Sequence, residues 1–281
     1  MNKSVVITGA GSGLGRNLAL NFANRGFDVY GTASKQEQID DLDKTSNGKV
    51  KLFICDITDT VEINNLAIEV NKLTNDTLDY LISNAGILTP GPLEVQDLAE
   101  VRREFKVNTF GVLSVVNAFL PALRNSKGRI IQISTATVDF PSPFNGLSAG
   151  SKAATEAFMS VYRDELKQFG IEVIVAVPGN MKTGGPAKTA AALEKVRESF
   201  TPEQKELYGE SYDKFIAKMN EGQSHGTDAD ISAEHIVNLA TRNPVLLREP
   251  IGDDAIELLK YVKSTTLEEQ SSHRVKSISN Q

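Results

Sequence analysis

Residues 4–15 read Ser4-Val5-Val6-Ile7-Thr8-Gly9-Ala10-Gly11-Ser12-Gly13-Leu14-Gly15, a β-branched run that breaks into glycines. The run predicts a strand over Ser4 to Thr8, and the apolar spacing from Leu14 to Arg25 predicts a helix. Glycines between them allow a tight turn, close backbone approach to a ligand, and close helix–strand packing. The amino terminus of the helix offers free N–H groups and partial positive charge to a pyrophosphate. Glycine clusters also serve ordinary turns. What decides between the two readings is the chain that follows.

Further β-branched runs predict strands at Asp28–Thr32, Val50–Cys55, Leu78–Ser83, Arg129–Ser134 and Ile171–Val177. Amphipathic stretches near Val61–Leu73, Asp97–Leu123 and Gly150–Phe169 predict helices between them. This alternation predicts an α/β chain of the Rossmann type, a doubly wound parallel sheet covered on both faces. The pattern breaks after Pro178. Residues 183–225 contain no strand signal and are rich in Ala, Glu, Lys and Tyr, which predicts one or two helices. Such a segment is either a lid over the cleft at the carboxyl edge of the sheet or a surface insertion. A helix from Ser232, a short run Val245–Leu247 and a helix from Asp254 complete the pattern. The expected organisation is one domain over 1–265, lid included, and a polar tail over 266–281 that frays.

Composition narrows the function. The chain has 281 residues, 40% hydrophobic and 23% charged, the balance of a folded globular protein. Thirty Lys and Arg against 36 Asp and Glu give a net charge of −6, so a nucleic-acid partner is not expected. Cys55 has no second cysteine to pair with, and Cys55 and the three His have no metal-ligand spacing. No apolar stretch reads as a membrane span and no segment reads as a cleavable signal, so a cytoplasmic location without membrane association is expected.

The glycines are spaced Gly-x-x-x-Gly-x-Gly behind Thr8. In this the chain resembles the short-chain dehydrogenase/reductase family, and further matches run from about Lys3 to Ala255. Asp56, followed by Ile57, matches the acid that bonds the adenine amino group. Asn84-Ala85-Gly86 matches the family's Asn-Ala-Gly signature, and Asn108 falls where the family keeps an active-site Asn. Lys152 matches the catalytic lysine, which also binds the nicotinamide ribose. Pro178-Gly179, with Met181 and Thr183, matches the loop that holds the nicotinamide carboxamide. The resemblance thus implies a dinucleotide site that includes Gly9, Ser12, Gly13, Leu14 and Gly15.

The end of the second strand bears on which dinucleotide is bound. An NAD-preferring site usually places Asp or Glu there for the ribose hydroxyls. This chain has Ala33, then Ser34 and Lys35. A missing acid removes repulsion toward a 2′-phosphate, and a hydroxyl with an ammonium can bind it. NADP(H) is therefore expected over NAD(H), although Lys35 also reads as an ordinary solvated charge.

The resemblance breaks at the proton donor. The family places a Tyr four residues before the Lys, and the Lys lowers its pKa from about 10 toward neutrality. Here position 148 is Ser, in Asn145-Gly146-Leu147-Ser148-Ala149-Gly150-Ser151-Lys152. A hydroxyl to orient a carbonyl remains at Thr135 or Ser134. The candidate catalytic group is then Asn108, Ser134 or Thr135, Ser148 and Lys152. Three readings stay open. A water held by Ser148 and Lys152, or a lid residue such as Tyr208, Tyr212 or His225, replaces the phenol. Alternatively the pocket serves other chemistry or mere binding, or Ser148 disables an enzyme that naturally carries Tyr.

Pro143-Phe144-Asn145 and Pro250-Ile251-Gly252-Asp253-Asp254-Ala255 are similar to segments of hydroxysteroid and retinol dehydrogenases in the family. The resemblance implies a small-molecule substrate, a medium or large, partly apolar ketone or alcohol. It also implies a homodimer or homotetramer through the long helices, where Ala153, Ala157 and Val161 form an apolar ridge that equally fits a core face.

Overall fold

The structure is a computed structural model, and it describes residues 2–182 and 186–279. Strand β1 (Ser4–Ile7) is buried throughout and pairs in parallel with β2 (Asp28–Ala33) and β4 (Tyr80–Ser83). Beyond β2 lies β3 (Val50–Ile54). Beyond β4 follow β5 (Arg129–Ile133), β6 (Glu172–Pro178) and, last in the sheet, β9 (Arg248–Ile251). The result is a seven-stranded sheet in the order β3-β2-β1-β4-β5-β6-β9, with every pairing parallel. The strand order reverses between β1 and β4, and the crevice outside the carboxyl ends there is where such sheets take ligands.

Side chains alternate across a strand, so each strand feeds two cores. Val5 and Ile7 enter the layer under α1 (Gly13–Asn24), α2 (Gln36–Ser46) and α9 (Ala229–Thr241). Val6 enters the opposite layer, under α3 (Thr60–Thr74), α5 (Val112–Ser126) and α6 (Gly146–Leu166). Asp59 caps α3 by accepting from the N–H groups of Val61 and Glu62, meeting donors that the helix itself leaves free.

The helix expected over Asp97–Leu123 is interrupted. Helix α4 (Leu98–Phe105) widens into a π-helical turn over Lys106–Gly111 before α5 resumes. Such turns often mark functional sites, and Asn108 lies within this one, fully buried. The combined helix 98–126 is long and apolar enough, by length and composition, to cross a membrane, which the sequence reading did not register. Its buried residues instead pack on the sheet.

Past β6, residues Met181–Lys182 (β7) and Thr227–Asp228 (β8) form a small parallel pair that brings the two ends of the intervening segment together. Between them run α7 (Pro186–Ser199) and α8 (Pro202–His225), the two helices the composition suggested. Helix α8 opens with a reciprocal capping box between Thr201 and Gln204, with Pro202 in its first turn. A separate apolar cluster forms there around Phe144, Leu193, Tyr212, Phe215 and Ile216.

Two expectations need correction. Val245–Leu247 is not the last strand; β9 is Arg248-Glu249-Pro250-Ile251, an edge strand where a Pro is tolerated. The tail does not fray over its described length. After α10 (Asp253–Ser264) it forms α11 (Leu267–Lys276), opened by a Thr266–Glu269 capping box. The tail is held down by buried Gln270, which donates to the carbonyls of Val262 and Thr265. His273 also stacks edge-on against Phe140.

Candidate active site

A cleft of about 1210 Å³ opens beyond the carboxyl ends of β1, β2, β3 and β4. Its walls include Gly9, Ser12, Leu14 and Gly15 from the glycine loop, Ser34 after β2, and Asp56 and Ile57 after β3. Asn84, Ala85 and Gly86 complete it after β4. Gly15 has no room for a side chain, since a Cβ would lie 2.2 Å from the Gly9 carbonyl oxygen and 2.6 Å from Asn84 Nδ2. Thr8 ties the two loops together. Its hydroxyl accepts from the N–H groups of Asn84 at 2.9 Å and Ala85 at 3.0 Å, and Asn84 Nδ2 donates to the Thr8 carbonyl at 2.9 Å. Ser12 precedes α1 in extended conformation without capping it by its side chain, which leaves the first N–H groups of the helix for a ligand.

Not every expected residue lines this cleft. Gly13 stands off the wall, and Lys35 is exposed as the N-cap of α2. Ser34 donates through both its N–H and its hydroxyl to Gln38 Oε1, at 3.1 and 3.2 Å. Asp56 Oδ1 accepts from the Thr58 N–H at 2.8 Å.

Lys152 and Asn108 sit behind the walls rather than on them. Lys152 is buried on α6, and its Nζ donates to the Ile133 carbonyl at 2.9 Å. Burial pushes its pKa down to about 8, against the opposing pull of the Glu104 and Glu156 carboxylates. Asn108 Nδ2 donates to the Ile87 carbonyl at 2.9 Å and to Ser151 Oγ at 3.0 Å, while its Oδ1 accepts from the Ile87 N–H at 2.9 Å. Gly86 is the thin point of the wall. A Cβ there would lie 3.1 Å from Asn108 Oδ1 and 3.4 Å from Lys152 Nζ.

A second cavity has a volume of about 670 Å³. Thr135 and Ser148 line it, with Pro178 and Gly179. Phe215, Met219 and His225 of α8 line one side, and His273 and Ile278 line the cavity from the carboxyl-terminal segment. Of the two candidate hydroxyls, Thr135 faces this cavity and Ser134 does not. The Ser134 hydroxyl donates to Glu156, which in turn holds Arg248 Nε at 2.8 Å. Arg248 also meets Asp139 at 2.5 Å, so Ser134 belongs to an ion-pair network beneath the site. Met181 packs against the sheet core, and Thr183 lies outside the described residues.

The phenols of Tyr208 and Tyr212 on α8 do not line the cavity. Tyr208 donates to Glu94 Oε1 at 2.6 Å, a bond that raises its pKa. Tyr212 is fully buried among Phe144, Phe200 and Phe215, and that burial raises its pKa as well. Among the residues suggested in place of the phenol, His225 and Ser148 are the ones on the wall.

Residues 3–194 match the short chain dehydrogenase family. The chain belongs to it. This short-chain dehydrogenase is 35% identical over 207 residues to the NADPH-dependent 1-acyldihydroxyacetone phosphate reductase of Schizosaccharomyces pombe, covering 73% of this chain and 68% of that one. It is 32% identical over 217 residues to estradiol 17-beta-dehydrogenase 2 of Rattus norvegicus, covering 75% of this chain and 57% of the relative's length. A crystal structure of a short-chain dehydrogenase from Streptomyces avermitilis superposes with a TM-score of 0.79 at 24% identity, covering 100% of this chain and 98% of the other. The Rossmann-type architecture is thereby shared along the whole length.

Several residues of the site escaped the sequence reading. Glu104, fully buried, accepts from the Thr89 N–H at 2.8 Å and from Asn108 Nδ2 at 3.3 Å. Its spacing of one helical turn before Asn108 was the available signal. The Glu156–Arg248–Asp139 network joins residues far apart in sequence, and no local pattern announces it.

Proposed function

We propose that this short-chain dehydrogenase is an NADP(H)-linked oxidoreductase that interconverts a ketone and a secondary alcohol on a medium-to-large, partly apolar substrate, with Ser148 where the family keeps its phenol. One observation carries the reading: Lys152 stands close to a wall residue of each cavity, Gly86 of the glycine-loop cleft and Ser148 of the second. Gly86, on the wall of the cleft, approaches the lysine ammonium. Ser148, one helical turn before Lys152, faces the cavity.

The cleft suits a dinucleotide because Gly15 leaves no room for a side chain where the loop meets the helix and the first N–H groups of α1 are left uncapped by Ser12. No carboxylate follows β2, which favours the 2′-phosphorylated form, and the relative from Schizosaccharomyces pombe is named for NADPH dependence. When bound, the nicotinamide would exchange a hydride with the substrate carbon. Everything else falls to the chain. The Thr135 hydroxyl orients the carbonyl, and a water held by Ser148 in the space of the missing ring delivers a proton to its oxygen. Lys152, with a pKa of about 8, replenishes that proton. The apolar part of the cavity, with Phe140, Leu258, Met219 and Ile278, receives the body of the substrate. The estradiol dehydrogenase among the relatives favours a molecule of that character.

A second reading rests on the lid phenols being held away from the cavity: a protein that binds the dinucleotide without turnover. Oxidation of NADPH and of NADH by the protein and by Ser148→Tyr, against a panel of bulky ketones, separates the two. Turnover by the protein itself supports the water route, and turnover by the Tyr variant alone shows a reductase silenced at one position. Nucleotide binding with no turnover by either defeats the reductase reading. The ridge of Ala153, Ala157 and Val161 is exposed, next to Phe158, so we assign it to a homodimer or homotetramer interface rather than the core. Val161→Arg should then reduce the mass measured by light scattering.

A further inference from the structure

We infer that the second cavity accepts a hydroxyketone, or the matching diol, and that Asn145 holds its second oxygen. This rests on the reading of that cavity as the carbonyl site.

Asn145 lines the cavity and is 6% exposed, yet its buried Oδ1 has no hydrogen-bond partner among the described residues. It occupies the N-cap of α6, a position where Asn commonly bonds the free N–H groups of the first turn. Asp59, Thr201 and Thr266 make that bond on their helices; Asn145 does not. A buried acceptor without a partner costs about 1–3 kcal/mol, and buried polar groups in folded proteins are paired as a rule. The missing partner is therefore supplied from the cavity.

The placement is fixed from behind. Phe144, the preceding residue, adopts φ +63, a left-handed conformation rare outside glycine. Its carbonyl accepts from the Gly91 N–H at 2.7 Å, and its ring packs edge-on against Tyr208, Tyr212 and Phe215. Asn145 is thus held rather than free to turn into solvent.

Position then sets the chemistry. Residues three apart on a helix are neighbours, with Cβ atoms about 5–6 Å apart. Asn145 is three residues before Ser148, so a group bonded to the amide lies within one or two carbons of a carbonyl whose oxygen meets the water on Ser148. An amide both donates and accepts, as does a hydroxyl, so the two are matched in either orientation of the amide. The ligand class is an α- or β-hydroxyketone with an apolar body.

The test uses the full chain with NADP+ bound and isothermal titration with matched probes: a hydroxymethyl alkyl ketone, its β-hydroxy isomer, and the methyl alkyl ketone of equal length. At least one hydroxylated probe should bind about tenfold tighter than the methyl ketone, the worth of one neutral hydrogen bond. Asn145→Leu should erase that preference while methyl ketone binding persists, and Asn145→Ala should do the same if the leucine does not fit. Equal binding of all three probes, no binding of any, or a preference that survives both substitutions overturns the proposal. Turnover of the methyl ketone with NADPH is scored separately. Turnover without preference removes Asn145 alone, whereas preference without turnover removes the reductase reading alone.

Discussion

Glu104 lies one helical turn before Asn108, and its buried carboxylate accepts from the Asn108 amide at 3.3 Å. Burial raises the pKa of this acid, while its bond from Thr89 and the Lys152 ammonium draw it down. The coupling runs both ways, because Glu104 is also the larger of the two carboxylates that oppose the burial of Lys152. Glu104→Gln preserves the shape and removes the charge. Without that neighbour the ammonium is less favoured, so the Lys152 pKa falls further. The alkaline limb of the pH–rate profile for ketone reduction should move to lower pH. A profile unmoved from that of the unaltered protein would show that Glu104 serves packing only.

Lys152 has its own signature. Its pKa is about 8 in the fold against about 10.5 unperturbed, so between those values the unfolded chain binds more protons. Stability should rise with pH across that window by up to about 3 kcal/mol, and the penalty is fully present below it. Lys152→Met should flatten that rise in urea titrations run between those limits. Reduction needs the ammonium, so the rate should fall as pH passes upward through about 8. A lysine variant with an unchanged stability profile would sink the assignment.

Gly15→Ala places a methyl 2.2 Å from the Gly9 carbonyl oxygen and 2.6 Å from Asn84 Nδ2, contacts that real side chains do not make. The loop must open, at about 1–3 kcal/mol, and the cradle opens with it. NADPH affinity measured by its fluorescence should drop about tenfold or more. An unaltered affinity would mean that the dinucleotide does not sit on this loop.

How much of this could be read from the residues follows from burial. Strands β1, β4, β5 and β6 are covered on both faces, so their side chains are nearly all apolar and β-branched runs reveal them. The edge strand β9 shows no such signal, because Arg248 and Glu249 are spent on ion pairs. Helix α11 reads as a polar tail, yet it docks through Gln270 and His273, residues that pattern rules assign to solvent. At the candidate site, motif spacing points to Gly15, Asn84 and Lys152, which the fold brings to one edge of the sheet. It does not show the division of labour between Ser134 and Thr135. Neighbours at a strand end face opposite ways, and only the position of Glu156 shows which one turns inward. Glu104 escaped because an acid on an amphipathic helix ordinarily marks its wet side.

The left-handed Phe144 has a consequence for the lid. A non-glycine residue held there costs about 1–2 kcal/mol, and the rings of Tyr208, Tyr212 and Phe215 on α8 hold it in place. A displacement of α8 would therefore release Phe144 and with it the setting of Asn145, and any linkage between a ligand on Asn145 and the packing of α8 would be reciprocal. A molecule bonded to Asn145 should then stabilise the packing of α8, so amide hydrogen exchange across Pro202–His225 should slow when the cavity fills. By the same equality, whatever loosens the ring cluster weakens the grip on that molecule by an equal amount, at a distance from any atom it touches.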